Sequence, residues 1–207
     1  MALKTTTKPR KTALQARSQA TVDALLRATA RILVRDGYDR ASTNKIAALA
    51  GVSVGSLYQY FPSKESLVAA LMRAHVEQMA ELMRSAFARL SALPLAQAAR
   101  EVVHLMIEAH ALDPKLHRVL VEQVPRIGDL DRVEAIGVEM VALTHAFLEQ
   151  RRDELVVRDL ELAAFIVVSI VESLTHTAVL MRPELLGETF EREVTAAVTR
   201  YLIAGDA

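Results

Sequence analysis

The chain has 207 residues, no cysteine, zero formal net charge, and a hydrophobic content of 52% to which aromatic residues contribute only 4%. The lack of thiols excludes disulfides, thiolate catalysis and Cys-ligated zinc or iron–sulfur centres, and fits a reducing cytoplasm. An aliphatic and alanine-rich core with only seven Gly and six Pro favours helices packed on helices, so the expected fold is all-α.

Residues 1–16 are polar, carry Lys4, Lys8, Arg10 and Lys11, and read as a flexible basic arm. From Arg17 the pattern turns helical. Val22, Leu25, Leu26, Thr29, Ile32 and Leu33 recur at three and four residues, and Gly37 supplies the stop. A short helix is expected over Thr43 to Ala50, capped by Ser42 or Thr43 and broken at Gly51. Another runs from about Val54 to Phe61 and ends at Pro62. Ser63 then caps a long helix through about Leu90, with Leu67, Leu71, His75, Met79, Leu82 or Met83, Ala86 and Leu90 along one side.

Further helices are expected at about 95–111, 114–124, 130–152, 159–181 and 185–203. Asp113-Pro114 pairs an N-cap with a first-turn proline, Pro125 and Gly128 bracket a loop, and Arg182-Pro183 separates the last two helices. The count is about nine helices, with no strand-like alternation and no repeat of fixed period. The longest apolar run, Leu162 to Val171, lies between Glu161 and Glu172 and falls short of the ~20 residues a membrane span needs. The first seventeen residues contain no apolar run that would make a secretory signal. A soluble, cytoplasmic protein with no membrane contact is expected.

The most specific pattern lies in Ser42 to Leu67, STNKIAALAGVSVGSLYQYFPSKESL. It reads as two short helices joined by a tight turn. Ile46, Ala47 and Ala50 face inward on the first, Gly51 takes the turn conformation, Val52 plugs the angle and Ser53 caps the second helix. Leu57 anchors that helix, leaving Val54, Gly55, Ser56, Tyr58, Gln59 and Tyr60 on its remaining faces. Small residues at its start let the helix approach a groove floor, and the hydroxyls and amide that follow suit phosphates and base edges. Charge is split in the same sense. Residues 1–64 hold eleven Lys/Arg against three Asp/Glu, and residues 65–207 hold fourteen against twenty-two. A basic head on an acidic body fits a module that meets a polyanion at one end. The competing reading is a pair of ordinary solvated surfaces of opposite sign.

The run from Ala41 to Leu67 resembles the DNA-binding core of the tetracycline-repressor (TetR) family. The matching residues are Thr43, Ile46-Ala47, Ala50-Gly51-Val52-Ser53, Gly55-Ser56-Leu57-Tyr58, Tyr60-Phe61 and Lys64-Glu65-Ser66-Leu67, with Asp36-Gly37-Tyr38 ending the preceding helix. The resemblance covers roughly residues 17–75 and implies a division into the arm (1–16), a helix-turn-helix domain (17–77) and a helical effector-binding and dimerisation domain (78–207). It implies that Val54 to Tyr60 enter the major groove. Asn44, Val54, Gly55 and Gln59 would face bases, while Thr43, Ser56, Tyr58, Tyr60 and Lys64 would mostly hold phosphates, with Ser53 beside them. Val54 departs from the family pattern, where that slot is often polar or basic. It offers only apolar contact, for which a thymine methyl is the natural target, so readout shifts to Asn44 and Gln59. The alternative for Tyr58 and Tyr60 is ring packing on the first helix, and for Lys64 a solvated first-turn position. The arm either tracks the adjacent groove or backbone, or has no role.

For the body, the resemblance implies a dimer whose last two helices form a four-helix bundle with their copies. Helix 159–181 is apolar nearly all round, which demands burial on both sides. The interface expected is Phe165, Val168, Val171, Thr175 and Val179, with Phe190, Val194, Val198 and Tyr201 from the last helix. The middle helices would enclose a pocket for an unknown small-molecule effector. The polar and aromatic residues on them are His104, Glu108, His110, His145, Phe147, Phe165, Glu172 and His176. His104 and Glu108 share a face, but two ligands are too few to specify a metal.

No Gly-rich phosphate loop, HExxH, GxSxG or paired cysteine is present, so neither an enzyme nor a cofactor is expected. The functional expectation is a ligand-responsive regulator, a repressor, that binds a (pseudo)palindromic double-stranded operator as a homodimer and is released by a small molecule. The alternative is a helical protein–protein adaptor with only non-specific DNA affinity.

Overall fold

A computed structural model describes residues 16–111, 113–127 and 131–203. Among them lie nine α-helices and no strand: α1 (Ala16–Asp36), α2 (Thr43–Ala50), α3 (Val54–Tyr60), α4 (Lys64–Leu90), α5 (Leu95–Ala111), α6 (Pro114–Ile127), α7 (Asp131–Glu149), α8 (Leu160–Met181) and α9 (Glu188–Ile203). The all-α expectation holds. The differences lie at element ends. Short 3₁₀ turns occupy Arg152–Glu154 and Pro183–Leu185, so α7 stops earlier and α9 starts later than the apolar pattern alone suggests. α6 runs through Pro125 to Ile127, past the stop expected at 124. A proline lacks the amide donor, but its fixed φ is compatible with helical backbone. The basic arm, residues 1–16, lies outside the described residues save for Ala16 at the start of α1.

The chain divides into two compact units. The first comprises the described residues up to Val76 together with those of Lys115–Val133, and the second Glu77–Pro114 with Glu134 onward. α4 belongs to both by sequence, and α6 joins the first unit, which the sequence-based division at residue 77 does not anticipate. Its reason is packing: Leu116 and Leu120 of α6 are buried in the same cluster as Leu25 and Ile32 of α1, Ile46 of α2, Leu57 of α3 and Leu67 of α4. Burying a leucine contributes roughly 1.5–3 kcal/mol, so the α6 pair weighs heavily on where that helix sits.

The second unit has its own core, in which Leu95 and Val103 of α5, Leu148 of α7, Val167 and Val171 of α8, and Val194 and Val198 of α9 come together. Ala163 and Ala164 are fully buried on α8, allowing neighbouring backbones to approach closely. α8 is long and apolar enough, with a mean hydropathy of 1.8 over its best window, to meet the length and composition criteria of a membrane span. Its inner face is nonetheless core. Its exposed apolar residues are Leu162, Phe165 (57% exposed), Leu174 and Met181 (75% exposed).

Candidate nucleic-acid interface

The helix-turn-helix is set by local chemistry. Ser42 sits in extended backbone and caps α2, its hydroxyl accepting from the Lys45 amide at 3.4 Å. Gly51 closes α2 with φ of 70° in the left-handed region, where a side chain would be strained. Ser53 caps α3, accepting from the Ser56 amide at 3.0 Å, and its hydroxyl also lies 2.8 Å from that of Ser56. With Leu57 fully buried, the rotation of α3 is fixed and its opposite face is turned outward.

That outward face carries Val54, Gly55, Tyr58 and Gln59, all exposed, and Asn44 is likewise exposed on α2. Gly55 is bare for no internal reason: its backbone is helical, and an added Cβ would meet only the Ser53 hydroxyl at 3.9 Å. The Tyr58 hydroxyl lies 3.1 Å from the Thr43 hydroxyl, so α2 and α3 present a joined pair of hydroxyls. Ser56 and Thr43 are half-buried beside them.

Two residues expected at the phosphates are held by the fold instead. Tyr60 is buried, and its hydroxyl lies 3.1 Å from that of Ser18 on α1. The Lys64 ammonium donates to the Tyr38 carbonyl at 2.9 Å and lies 4.0 Å from the Tyr38 ring centroid. A lysine at a helix start opposes the helix dipole, and here a carbonyl and a π-face compensate it. The Tyr38 hydroxyl in turn donates to Glu65. Partial burial pushes the Glu65 carboxyl up, but its own amide, the Ser63 hydroxyl and Tyr38 together bring it below its ordinary value. The ties of Ser18, Tyr38 and Glu65 leave no mark in the sequence because their partners lie far along the chain. Lys45 is also committed: it donates to the Asp36 carboxylate and to the Arg40 carbonyl. Arg35 and Lys45 hold Asp36 well below the usual carboxylate range.

The second unit disperses the residues expected around an effector. His104 contacts Glu191 at 3.2 Å and Glu108 at 3.5 Å on an exposed α5–α9 edge, where Arg100 also binds Glu191 at 2.8 Å. Arg100 holds the Glu191 carboxyl down against the opposing effect of its partial burial, with His104 assisting. His110 is buried, donates to the Met106 carbonyl, and meets the His176 ring edge-on with centroids 5.7 Å apart. Glu172 and Phe165 are exposed and His145 is half-buried. None of the six residues His104, Glu108, His145, Phe165, Glu172 and His176 lines the unit's apolar cavity. That cavity, of about 40 Å³, is bounded by Phe87, Leu95, Val102, Thr144, Phe147 and Val167 among others. Of the aromatic residues expected around an effector, Phe147 is the one that reaches it.

Of the residues expected between two copies, Val171, Thr175, Val179, Val194 and Val198 are buried within the single chain. They have little surface left to offer a second copy. Val168, Phe190 and Tyr201 are half-buried, and Phe165 is exposed. Among the described residues no group of three or more His, Cys, Asp or Glu side chains is arranged to hold a metal.

Comparison with known proteins decides the family. Residues 25–71 match the family described as "Bacterial regulatory proteins, tetR family", and residues 94–202 match the "Tetracyclin repressor-like, C-terminal domain". The chain belongs to the TetR family of transcriptional regulators. A curated relative, the DNA-binding transcriptional repressor TetR of Mycobacteroides abscessus, is 40% identical over 60 residues, which span 29% of this chain and 32% of that protein. The TetR fold extends over nearly the whole chain. A Mesorhizobium loti protein assigned to the TetR family superposes with a TM-score of 0.72 at 23% identity, covering 90% of this chain and 97% of its own. NalD of Pseudomonas aeruginosa, described as the secondary repressor of the MexAB-OprM multidrug efflux pump, gives 0.67 at 19% identity, covering 93% and 100%.

Proposed function

We propose that this TetR-family regulator is a cytoplasmic, ligand-responsive repressor that binds a (pseudo)palindromic operator as a homodimer and is released by a small molecule. The observation that carries the reading is the outward face of α3. Its buried side is fixed by Leu57 and Tyr60, while Val54, Gly55, Tyr58 and Gln59 stand clear of the core with Asn44 beside them. Asn44 and Gln59 supply the amides that read base edges, and Val54 supplies apolar contact for a thymine methyl. Thr43, Ser53, Ser56 and Tyr58 supply hydroxyls for the phosphates that set the register. Tyr60 and Lys64 act in this reading chiefly by holding α3 and the start of α4 in place.

The exposed apolar face of α8 supports a second copy of the chain as its cover. Leu162 and Phe165 lie on that face, Leu174 and Met181 are exposed apolar residues on its flank, and Val168, Phe190 and Tyr201 are the half-buried members of the expected interface. Twofold pairing would place two reading helices one turn of DNA apart, roughly 34–36 Å. An effector in the second unit releases DNA only if it binds the free state more tightly than the DNA-bound state. NalD, named as an efflux-pump repressor, offers a precedent for repression on this fold.

The test is selection of bound duplexes from a random DNA pool at moderate salt, followed by sequencing. An enriched inverted repeat is the expected result. A flat pool, with binding that disappears as salt rises, would overturn operator recognition and favour a helical adaptor with only electrostatic DNA affinity.

A further inference from the structure

The cavity of the second unit restricts what can enter it. Its walls come from α4, α5, α7, α8 and α9, and Thr144 is the one lining residue with a polar side chain. A charged or multiply hydrogen-bonding occupant would lose its water there and find almost no partner, which is strongly unfavourable. Among the described residues no carboxylate or imidazole lines the cavity: His104 meets Glu108 and Glu191 on an exposed edge, and His110 donates to its own helix. At about 40 Å³ the space matches roughly three waters, so a larger occupant must part the walls.

Two of the walls are aromatic and touch each other. Phe87 of α4 and Phe147 of α7 meet edge to face, with centroids 6.3 Å apart and planes at 80°. The Arg151 guanidinium lies over the Phe147 ring at 3.9 Å. Arg151 is buried, and its hydrogen bonds among the described residues all go to backbone carbonyls. Its Nη2 donates to Leu90, Ser91 and Leu93, at and just past the end of α4, and its Nη1 donates to Phe147 near the end of α7. The last carbonyls of a helix lack intrahelical partners and carry the negative end of its dipole. One cation therefore closes the end of α4 and rests on the ring that an entering molecule must move.

We infer that the effector is a small, uncharged, apolar molecule held between Phe87 and Phe147, and that Arg151 carries its arrival to the C-terminal end of α4. This rests on the reading of the chain as effector-controlled, and it adds the effector's chemical class and the residue that couples it. Arg151 is a positioning residue here, acting through Phe147 and the α4 carbonyls.

The test uses the full chain with toluene as a neutral probe, and benzoate and benzylammonium as charged counterparts of the same ring, by titration calorimetry. Toluene should bind saturably, and both charged probes at least about tenfold more weakly. Ala98→Leu should abolish toluene binding by filling the cavity. Thr144→Val, which removes the one polar wall group, should bind toluene at least as tightly as wild type, with its fold checked by circular dichroism. No saturable toluene binding, charged probes that bind as tightly as toluene, or loss of toluene binding in Thr144→Val would overturn the assigned class.

Coupling is read on the duplex enriched by selection. Toluene should weaken wild-type binding to that duplex, while Arg151→Met should still bind toluene but respond at least about threefold less. Arg151→Lys, which keeps the charge and part of the hydrogen bonding, should recover some of the response. An undiminished response in Arg151→Met would remove Arg151 from the coupling. Failure to enrich any duplex would defeat the operator reading alone, because the calorimetric result does not depend on DNA.

Discussion

The two units solve different problems with the same kind of element, the α-helix. In the first, many polar side chains near the reading face have a partner: Ser42 and Ser53 cap helices, Tyr60 meets Ser18, Lys64 holds Tyr38, and Tyr58 meets Thr43. In the second, the candidate binding space is an apolar cavity with a single hydroxyl-bearing wall residue, while Arg100, His104, Glu108 and Glu191 cluster on an edge. A surface that reads DNA needs donors fixed in register, and the caps and turns that fix them locally leave a sequence signature. A cavity for an apolar ligand needs only shape, and its lining looks like any core.

The comparison breaks most sharply at Leu57. Leu57→Ala removes the fully buried anchor of α3 and should destabilise the first unit by about 2–5 kcal/mol. Urea unfolding should show that loss together with loss of DNA binding, and an unchanged midpoint would mean the reading helix is not held from inside.

Next comes Gln59→Ala, an exposed change that should leave stability nearly untouched. It should remove about 1–3 kcal/mol of discrimination at one position in each half-site. Repeating the duplex selection with this variant checks the point, and an unchanged motif takes Gln59 out of the readers.

Tyr60→Phe deletes the hydroxyl that meets Ser18 and should lower stability by about 0.5–1.5 kcal/mol. Base preference should be preserved, since Tyr60 is buried. A shifted preference with unchanged stability would restore Tyr60 to the interface. Gly55→Ala should do the reverse, stabilising α3 by about 0.5–1 kcal/mol because the added methyl has room. It should weaken operator binding if the groove floor approaches that bare position, and equal affinity would show that it does not.

The smallest effect concerns acid. Arg100 depresses the folded-state Glu191 carboxyl below its ordinary value of 4.5. Its contribution is therefore present above that value and lost as pH falls through the lower folded value. The Arg100 side chain is largely exposed, so screening keeps the contribution small. The stability difference between wild type and Glu191→Gln should shrink on acidification below about pH 4.5 and shrink with added salt at neutral pH. A difference independent of both would mean that the α5–α9 edge does not act through charge.

The legible parts of this molecule are those whose physics is local. Gly37 and Gly51 both adopt positive φ, and Ser42 and Ser53 cap the short helices that follow them, so the turn and its helices could be read from neighbouring residues. The unread parts depend on distant partners. Tyr60 finds Ser18 forty-two positions away and Lys64 finds Tyr38 twenty-six away, so neither tie leaves a trace in the local pattern. The membership of α6 in the first unit rests on where Leu116 and Leu120 are buried, and an amphipathic stripe does not name its partner. α8 shows the same limit. Its apolar residues run round the helix, but the sequence does not say that Val171, Thr175 and Val179 serve the single chain while Leu162, Phe165 and Leu174 stay outside.

The central claim, that the exposed α3 face reads DNA from a twofold dimer, is tested most directly by stoichiometry on the enriched duplex. Sedimentation of the full chain with duplexes carrying the whole repeat or one half of it would give that number. The account predicts two chains on the whole repeat and much weaker binding to the half-site. One chain per whole repeat, with equal affinity for the half-site, would contradict it.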